Sequence, residues 1–187
     1  YALSVFLVST QKEDALTADT NSYTQSLLKV IGQTRNNVNL LSVISLTFVF
    51  NIFALPFIAL ISLLLIEKFN PNELYIGMFT SLEGIGALLG GTAITVIAIN
   101  KKLISFIAFL GIILLCISLS ASSNSIYMYS LSILIFGMAT ACYSALQSTI
   151  IYLNSTPELR SSTFSLLTIA IGSVSYTHLR AHETSLH

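Results

Sequence analysis

The chain has 187 residues, of which 54% are hydrophobic and 9% charged, with a mean hydropathy of +0.82. Average globular domains carry about 25% charged residues, so this composition cannot build a water-facing surface and lipid is the expected solvent. Eight Lys plus Arg balance eight Asp plus Glu, which offers no field for nucleic acid; abundant Ile, Leu and Phe exclude disorder, and nine Gly with two Cys exclude collagen and disulfide scaffolds.

In chain order, the opening YALSVFLVS, residues 1–9, reads as the last turns of a span whose beginning is missing, since no basic segment precedes it to make a signal peptide. Residues 10–38 are polar, mixed in charge and free of Pro. Within them Tyr23, Leu27, Val30 and Ile31 recur at helical spacing and form one apolar stripe. The stripe predicts a short amphipathic helix, either lying on the membrane face or serving as a plain tether between two bundles of spans.

Four complete spans follow, at 39–66, 74–99, 103–121 and 126–152, with a truncated one from 163 to 173. Each complete run meets the roughly 20 residues that a hydrocarbon core of about 30 Å requires. In the first, Thr47 and Asn51 stand one turn apart, and Pro56 removes a backbone donor, which leaves the carbonyl of Ile52 free and predicts a kink. The turn Asn70-Pro71-Asn72-Glu73 offers a cap side chain, a proline at the helix start and a carboxylate near the positive end of the next helix dipole.

The second span carries Glu83, the only charge well inside any run. It lies about nine residues from the start, or roughly 14 Å at helical rise, close to mid-membrane. A charge there costs about 2.5 to 3.5 kcal/mol on insertion scales. Such a residue faces a bundle interior or a water-filled path, where it can couple protons, or it serves as a neutral acid hydrogen-bonded to a neighbouring helix. Gly77, Gly84 and Gly91 repeat every seven residues on this helix, and Gly86 with Gly90 makes a GxxxG pair. Aligned glycines let helix backbones approach closely. At 100° per residue Glu83 shares the side of Gly86 and Gly90, which predicts a close helix neighbour beside the carboxylate.

The third span contains Cys116 and the fourth Cys142; both read as small packing residues. In the fourth, Gly137, Thr140, Ser144, Gln147 and Ser148 form a polar stripe that either lines a solute path or hydrogen-bonds between helices. Tyr127 and Tyr129 at its start read as interface anchors. Thr156-Pro157-Glu158-Leu159-Arg160 repeats the capping device of residues 70–73 before the last span.

All three histidines fall in the ending VSYTHLRAHETSLH, residues 174–187. His178 and His182 stand one turn apart beside Glu183, as a zinc pair would. The eleven residues 174–184, however, resemble one reading frame of a transposase mosaic end joined to a sequencing adapter. The resemblance implies a non-native tail with no functional role. No metal site, cofactor site, P-loop or catalytic set remains, and the chain is not read as an enzyme.

Alternate loops place Lys12, Lys29, Arg35, Lys101, Lys102 and Arg160 on one side of the bilayer and Lys68 alone on the other. The excess marks segments 10–38, 100–102 and 153–162 as cytoplasmic, with 67–73 and 122–125 outside.

LLKVIGQTRNNVNLLSV resembles the passage from the central loop into the seventh helix of the major facilitator superfamily, in its bacterial drug and siderophore exporter branch. NIFALPF is similar to the middle of that helix, IGMFTSLEGIGALLGG to the glycine-rich eighth, and YLNSTPELRSSTFSLL to the loop between helices ten and eleven. There Pro157, Glu158 and Arg160 keep the family's loop pattern, whereas Ser161 and Ser162 replace its Gly-Arg. Lys101 and Lys102 follow Asn100 where the family places an acidic-basic gating motif. The resemblance covers nearly all of 1–173 and implies an all-α polytopic bundle, running from the end of helix six into helix eleven. It also implies alternating access, with proton-driven export of small amphipathic solutes across the cytoplasmic membrane. Glu83, Asn51 and Gln147 are the candidates for the transport pathway on physical grounds. A non-transporting membrane scaffold or receptor, or the membrane subunit of an ATP-driven transporter, are the alternatives.

Overall fold

The computed structural model describes residues 20–97 and 99–168, with side chains from residue 28 onward. The opening span, the side chains of Tyr23 and Leu27, the end of the last span and the histidine-bearing tail lie outside the described residues.

The described chain is all helix: α1 (Thr20–Asn36), α2 (Val38–Phe69), α3 (Glu73–Val96), α4 (Lys102–Ser122) and α5 (Ile126–Asn154). A 3-10 turn, Pro157–Leu159, then leads into a helix over 160–168. The last four numbered helices, α2 to α5, are long and apolar enough to cross a membrane. Their lengths and composition make this a multi-pass membrane protein.

A single residue separates α1 from α2. The Asn37 side chain accepts from the amides of Asn39 (3.0 Å) and Leu40 (3.3 Å), which satisfies two of the free donors at the start of α2. Val30 of α1 is fully buried whereas Ile31 is half exposed, so only part of the expected stripe is packed. Helix α2 then runs unbroken for 32 residues through Pro56. At about 1.5 Å per residue it outreaches a core of roughly 30 Å, so it tilts or protrudes.

The turn at 70–72 is built differently from its sequence reading. Asn70 closes α2 in the left-handed region (φ 41°), its N–H donating to the Ile66 carbonyl at 2.9 Å. Asparagine tolerates that conformation better than most residues. Pro71 is therefore in the link, outside the helix, and Asn72 is the cap of α3, accepting from Leu74 N–H at 3.0 Å. Glu73 begins the helix, where a carboxylate complements the dipole. The proposed repeat of this device near 156 has only half of it: Pro157 opens the turn, but Thr156 makes no side-chain cap.

Helix α5 is the axis of the bundle. Eleven of its residues are buried, against only Gly86 and Gly90 of α3. It runs antiparallel to α2: Asn39 Nδ2 donates to Asn154 Oδ1 (2.9 Å) at one end, and the rings of Phe69 and Tyr129 meet edge to face (5.7 Å) at the other. It runs parallel to α3, with Gly86 opposite Leu134 and Gly90 opposite Met138. Phe106 of α4 stacks on Tyr143 (4.3 Å), placing the fourth helix against a third side.

Lys68 ties the far ends of α2 and α4. Its ammonium donates to the carbonyls of Ser120 (3.2 Å), Ala121 and Ser123 (3.2 Å). A cation at a helix C-terminus satisfies free acceptors and the negative end of the dipole together.

Candidate functional site

The seam between α3 and α5 is made of backbone. A Cβ on Gly86 would collide with the Leu134 carbonyl, and one on Gly90 with the Met138 carbonyl, its Cα being 2.8 Å away. From the other side, a Cβ on Gly137 would collide with the Glu83 carbonyl and reach within 3.1 Å of the Ala87 amide. Real Cβ atoms do not approach so closely, so glycine is required at all three positions for this helix separation. Glu83, half-buried, therefore stands directly beside the close neighbour expected on its side. Gly77, Gly84 and Gly91 are placed otherwise: a Cβ on any of them meets nothing within 4 Å among the described residues.

The seam between α2 and α5 is made of side chains. Tyr143 is sandwiched between Phe50 (4.9 Å) and Phe106 (4.3 Å), and Phe57 meets Phe136 edge to face at 5.1 Å. Tyr129, expected at the lipid interface, is instead 1% exposed and donates its hydroxyl to the Ile61 carbonyl at 2.6 Å. Its apolar ring fits the core and its hydroxyl finds a buried acceptor, which is how tyrosines are accommodated inside. Tyr127 remains exposed, as an interface anchor requires.

Polar groups collect within this second seam. Gln147 Nε2 donates to Thr47 Oγ1, whose own hydroxyl donates to the Val43 carbonyl at 2.7 Å. Asn51, one turn further along α2, is 2% exposed, and its Nδ2 has no hydrogen-bond partner. The Tyr143 hydroxyl is likewise buried without a bond of good geometry. Asn51 thus lies buried within the bundle and does not reach an open surface. Gln147 is half-buried at the edge of that contact.

The flank of α5 between these two seams carries hydroxyls among apolar residues, with Ile133 and Ile151 buried on it. At 100° per residue, Leu134, Met138 and Cys142 point towards α3, and Tyr129, Phe136, Tyr143 and Gln147 towards α2. Gly137, Thr140, Ser144 and Ser148 fall between them. The Thr140 hydroxyl donates to its own helix, at the Gly137 carbonyl (2.9 Å), while Ser144 and Ser148 are exposed. Gly137 heads this stripe and touches the backbone of Glu83, so the carboxylate-bearing residue borders the same flank. Of the sequence candidates, the structure brings Glu83 and Gln147 to the two margins of one hydroxyl-bearing face and places Asn51 behind it.

Two participants escaped sequence reading. Tyr143 lay unmarked, although Tyr129, Phe136 and Tyr143 repeat every seven residues and Gln147 follows one turn later, a spacing that marks one helix face. The Lys68 cap had no local signal, because its acceptors are about fifty residues away in sequence.

At the end of the bundle that holds Lys101 and Lys102, Lys102 reaches, among the described residues, only the Ile99 carbonyl (3.4 Å). The Arg160 guanidinium lies 3.9 Å from the Tyr152 ring centre, a cation–π contact that ties the turn at Pro157 and Glu158 to the end of α5. No family model, curated protein or solved structure matches the chain. Fold and composition together define a polytopic α-helical membrane protein.

Proposed function

We propose that the chain forms part of a secondary-active transporter of the major facilitator type in the cytoplasmic membrane, exporting small amphipathic solutes by alternating access. The observation that carries this reading is the hydroxyl-bearing flank of α5, with Ser144 and Ser148 exposed and Glu83 and Gln147 at its margins. Hydrocarbon does not accept such a face, so it lines water or solute. That face would form one wall of a path. Glu83 is the group assigned to proton coupling, being the one carboxylate near mid-membrane. The basic residues at the ends of α1, α3 and α5 orient those ends to the cytoplasm.

The test is transport by the full-length protein in proteoliposomes with an imposed proton gradient. Efflux should collapse on addition of a protonophore and be indifferent to ATP. Glu83→Gln should abolish gradient-driven transport while membrane insertion and helicity persist. Unchanged proton-driven transport in that variant would overturn the role of Glu83, and ATP dependence would overturn the class.

A further inference from the structure

We infer that the groove between the end of α3, the start of α4 and the end of α5 binds one phospholipid with an anionic headgroup. The groove encloses about 430 Å³. Its walls are apolar, from Ile97 and Leu146 among others, and its polar edge carries Asn100 and Lys102. That combination suits a molecule with a charged head and apolar chains.

Charge selects the head. No Asp or Glu occurs between Glu83 and Glu158, so the segments that line the groove, at the end of α3, the start of α4 and the end of α5, carry no carboxylate to repel an anion. Lys102 lines the groove, half-buried, and Lys101 precedes it, exposed. The single bond of Lys102 among the described residues, to the Ile99 carbonyl, is long, at 3.4 Å, and an ammonium has three donors to place. A phosphate oxygen beside Lys102 would take the others, with the Asn100 amide available as a further donor. The acyl chains continue along the outer surface, where Val96 (84% exposed), Ile97 and Ile104 present apolar side chains. Basic pockets between helices at a membrane surface hold anionic headgroups by the same pairing.

The other end of the bundle supplies an internal control. A groove of about 400 Å³ there is lined by Leu119, Ser122, Ser123, Asn124, Ser125 and Met128, without a charged residue. Lys68 borders it through the Ser123 carbonyl, but its three donors are already taken by Ser120, Ala121 and Ser123, so this groove should show the weaker preference for an anion.

The experiment is native mass spectrometry of the purified full chain in neutral detergent, titrated with phosphatidylglycerol, phosphatidylcholine or inorganic phosphate. One phosphatidylglycerol should be retained in preference to phosphatidylcholine. Lys102→Ala should weaken retention roughly five-fold and the Lys101→Ala/Lys102→Ala pair about twenty-five-fold, while Lys102→Arg keeps it. Thr149→Leu, which fills the groove and leaves the charge alone, should also weaken it; circular dichroism checks that each variant stays helical. Equal retention of phosphatidylcholine, or unchanged affinity in the double variant, would overturn the proposal. Inorganic phosphate bound as tightly as the lipid would overturn the lipid as occupant.

Discussion

The two sides of α5 are held by opposite means. Towards α3, backbone meets backbone across Gly86, Gly90 and Gly137, and the Cys142 thiol adds one side-chain bond, to the Gly90 carbonyl at 3.4 Å. Towards α2, bulky rings and hydroxyls interlock, with Tyr129 and Tyr143 almost wholly buried and Gln147 bonded to Thr47. In lipid, helices gain little by hiding apolar surface from one another, so close van der Waals contact and interhelix hydrogen bonds remain the main attractions. Close backbone contact dominates towards α3, whereas ring packing and hydrogen bonds together hold α2. A glycine seam tolerates no added atom, whereas a ring seam fails by subtraction.

Substitutions on the two sides should therefore fail in opposite directions. The largest effect is expected from Tyr143→Ala, which empties the space between Phe50 and Phe106. A loss of about 3 to 5 kcal/mol in detergent-induced unfolding is expected, whereas Tyr143→Phe should be nearly neutral, since the hydroxyl makes no bond of good geometry among the described residues. Equal losses in both variants would show that the hydroxyl, not the ring, carries the seam. Next, Gly90→Ala should destabilise by about 1 to 3 kcal/mol because the Met138 carbonyl must retreat. Gly84→Ala on the open face should fall within about 0.5 kcal/mol of the parent; a comparable loss there would mean that the glycine at 84 faces a neighbour after all. Between Gly90→Ala and Gly84→Ala falls Tyr129→Phe, which gives up the bond to the Ile61 carbonyl. Unfolding should register about 0.6 to 1.7 kcal/mol, the range of interhelix hydrogen bonds in membranes. No measurable change would leave that hydroxyl without an energetic role.

Much of the fold was legible along the chain, because a span is a local property. The four apolar runs each became one helix, and their ends moved by only a few residues: 39–66 became Val38–Phe69, and 126–152 became Ile126–Asn154. The short helix before them and the close approach beside Glu83 were also readable, from apolar spacing and from the GxxxG pair. Capping was less so. Asn70 and Asn72 are both competent caps by residue type, and only the path of the backbone assigns one to the end of α2 and the other to the start of α3.

The candidate site shows where local reading stops. Composition and periodicity alone determined that this is a helical, membrane-type chain with one carboxylate well inside an apolar run and a polar stripe on α5. That Gly77, Gly84 and Gly91, spaced as regularly as Gly86 and Gly90, would meet no neighbour among the described residues was not legible. Tertiary structure decided it through Gly137, a reciprocal gap some fifty residues away that only one face can meet. It likewise drew Tyr129 from the expected interface into the core, because an acceptor at Ile61 waits there, and set Asn51 behind the open face while leaving Ser144 and Ser148 on it. Hydropathy reports how deep a residue lies in the bilayer; its direction around the helix depends on which neighbour fits, and that is fixed only when the helices meet.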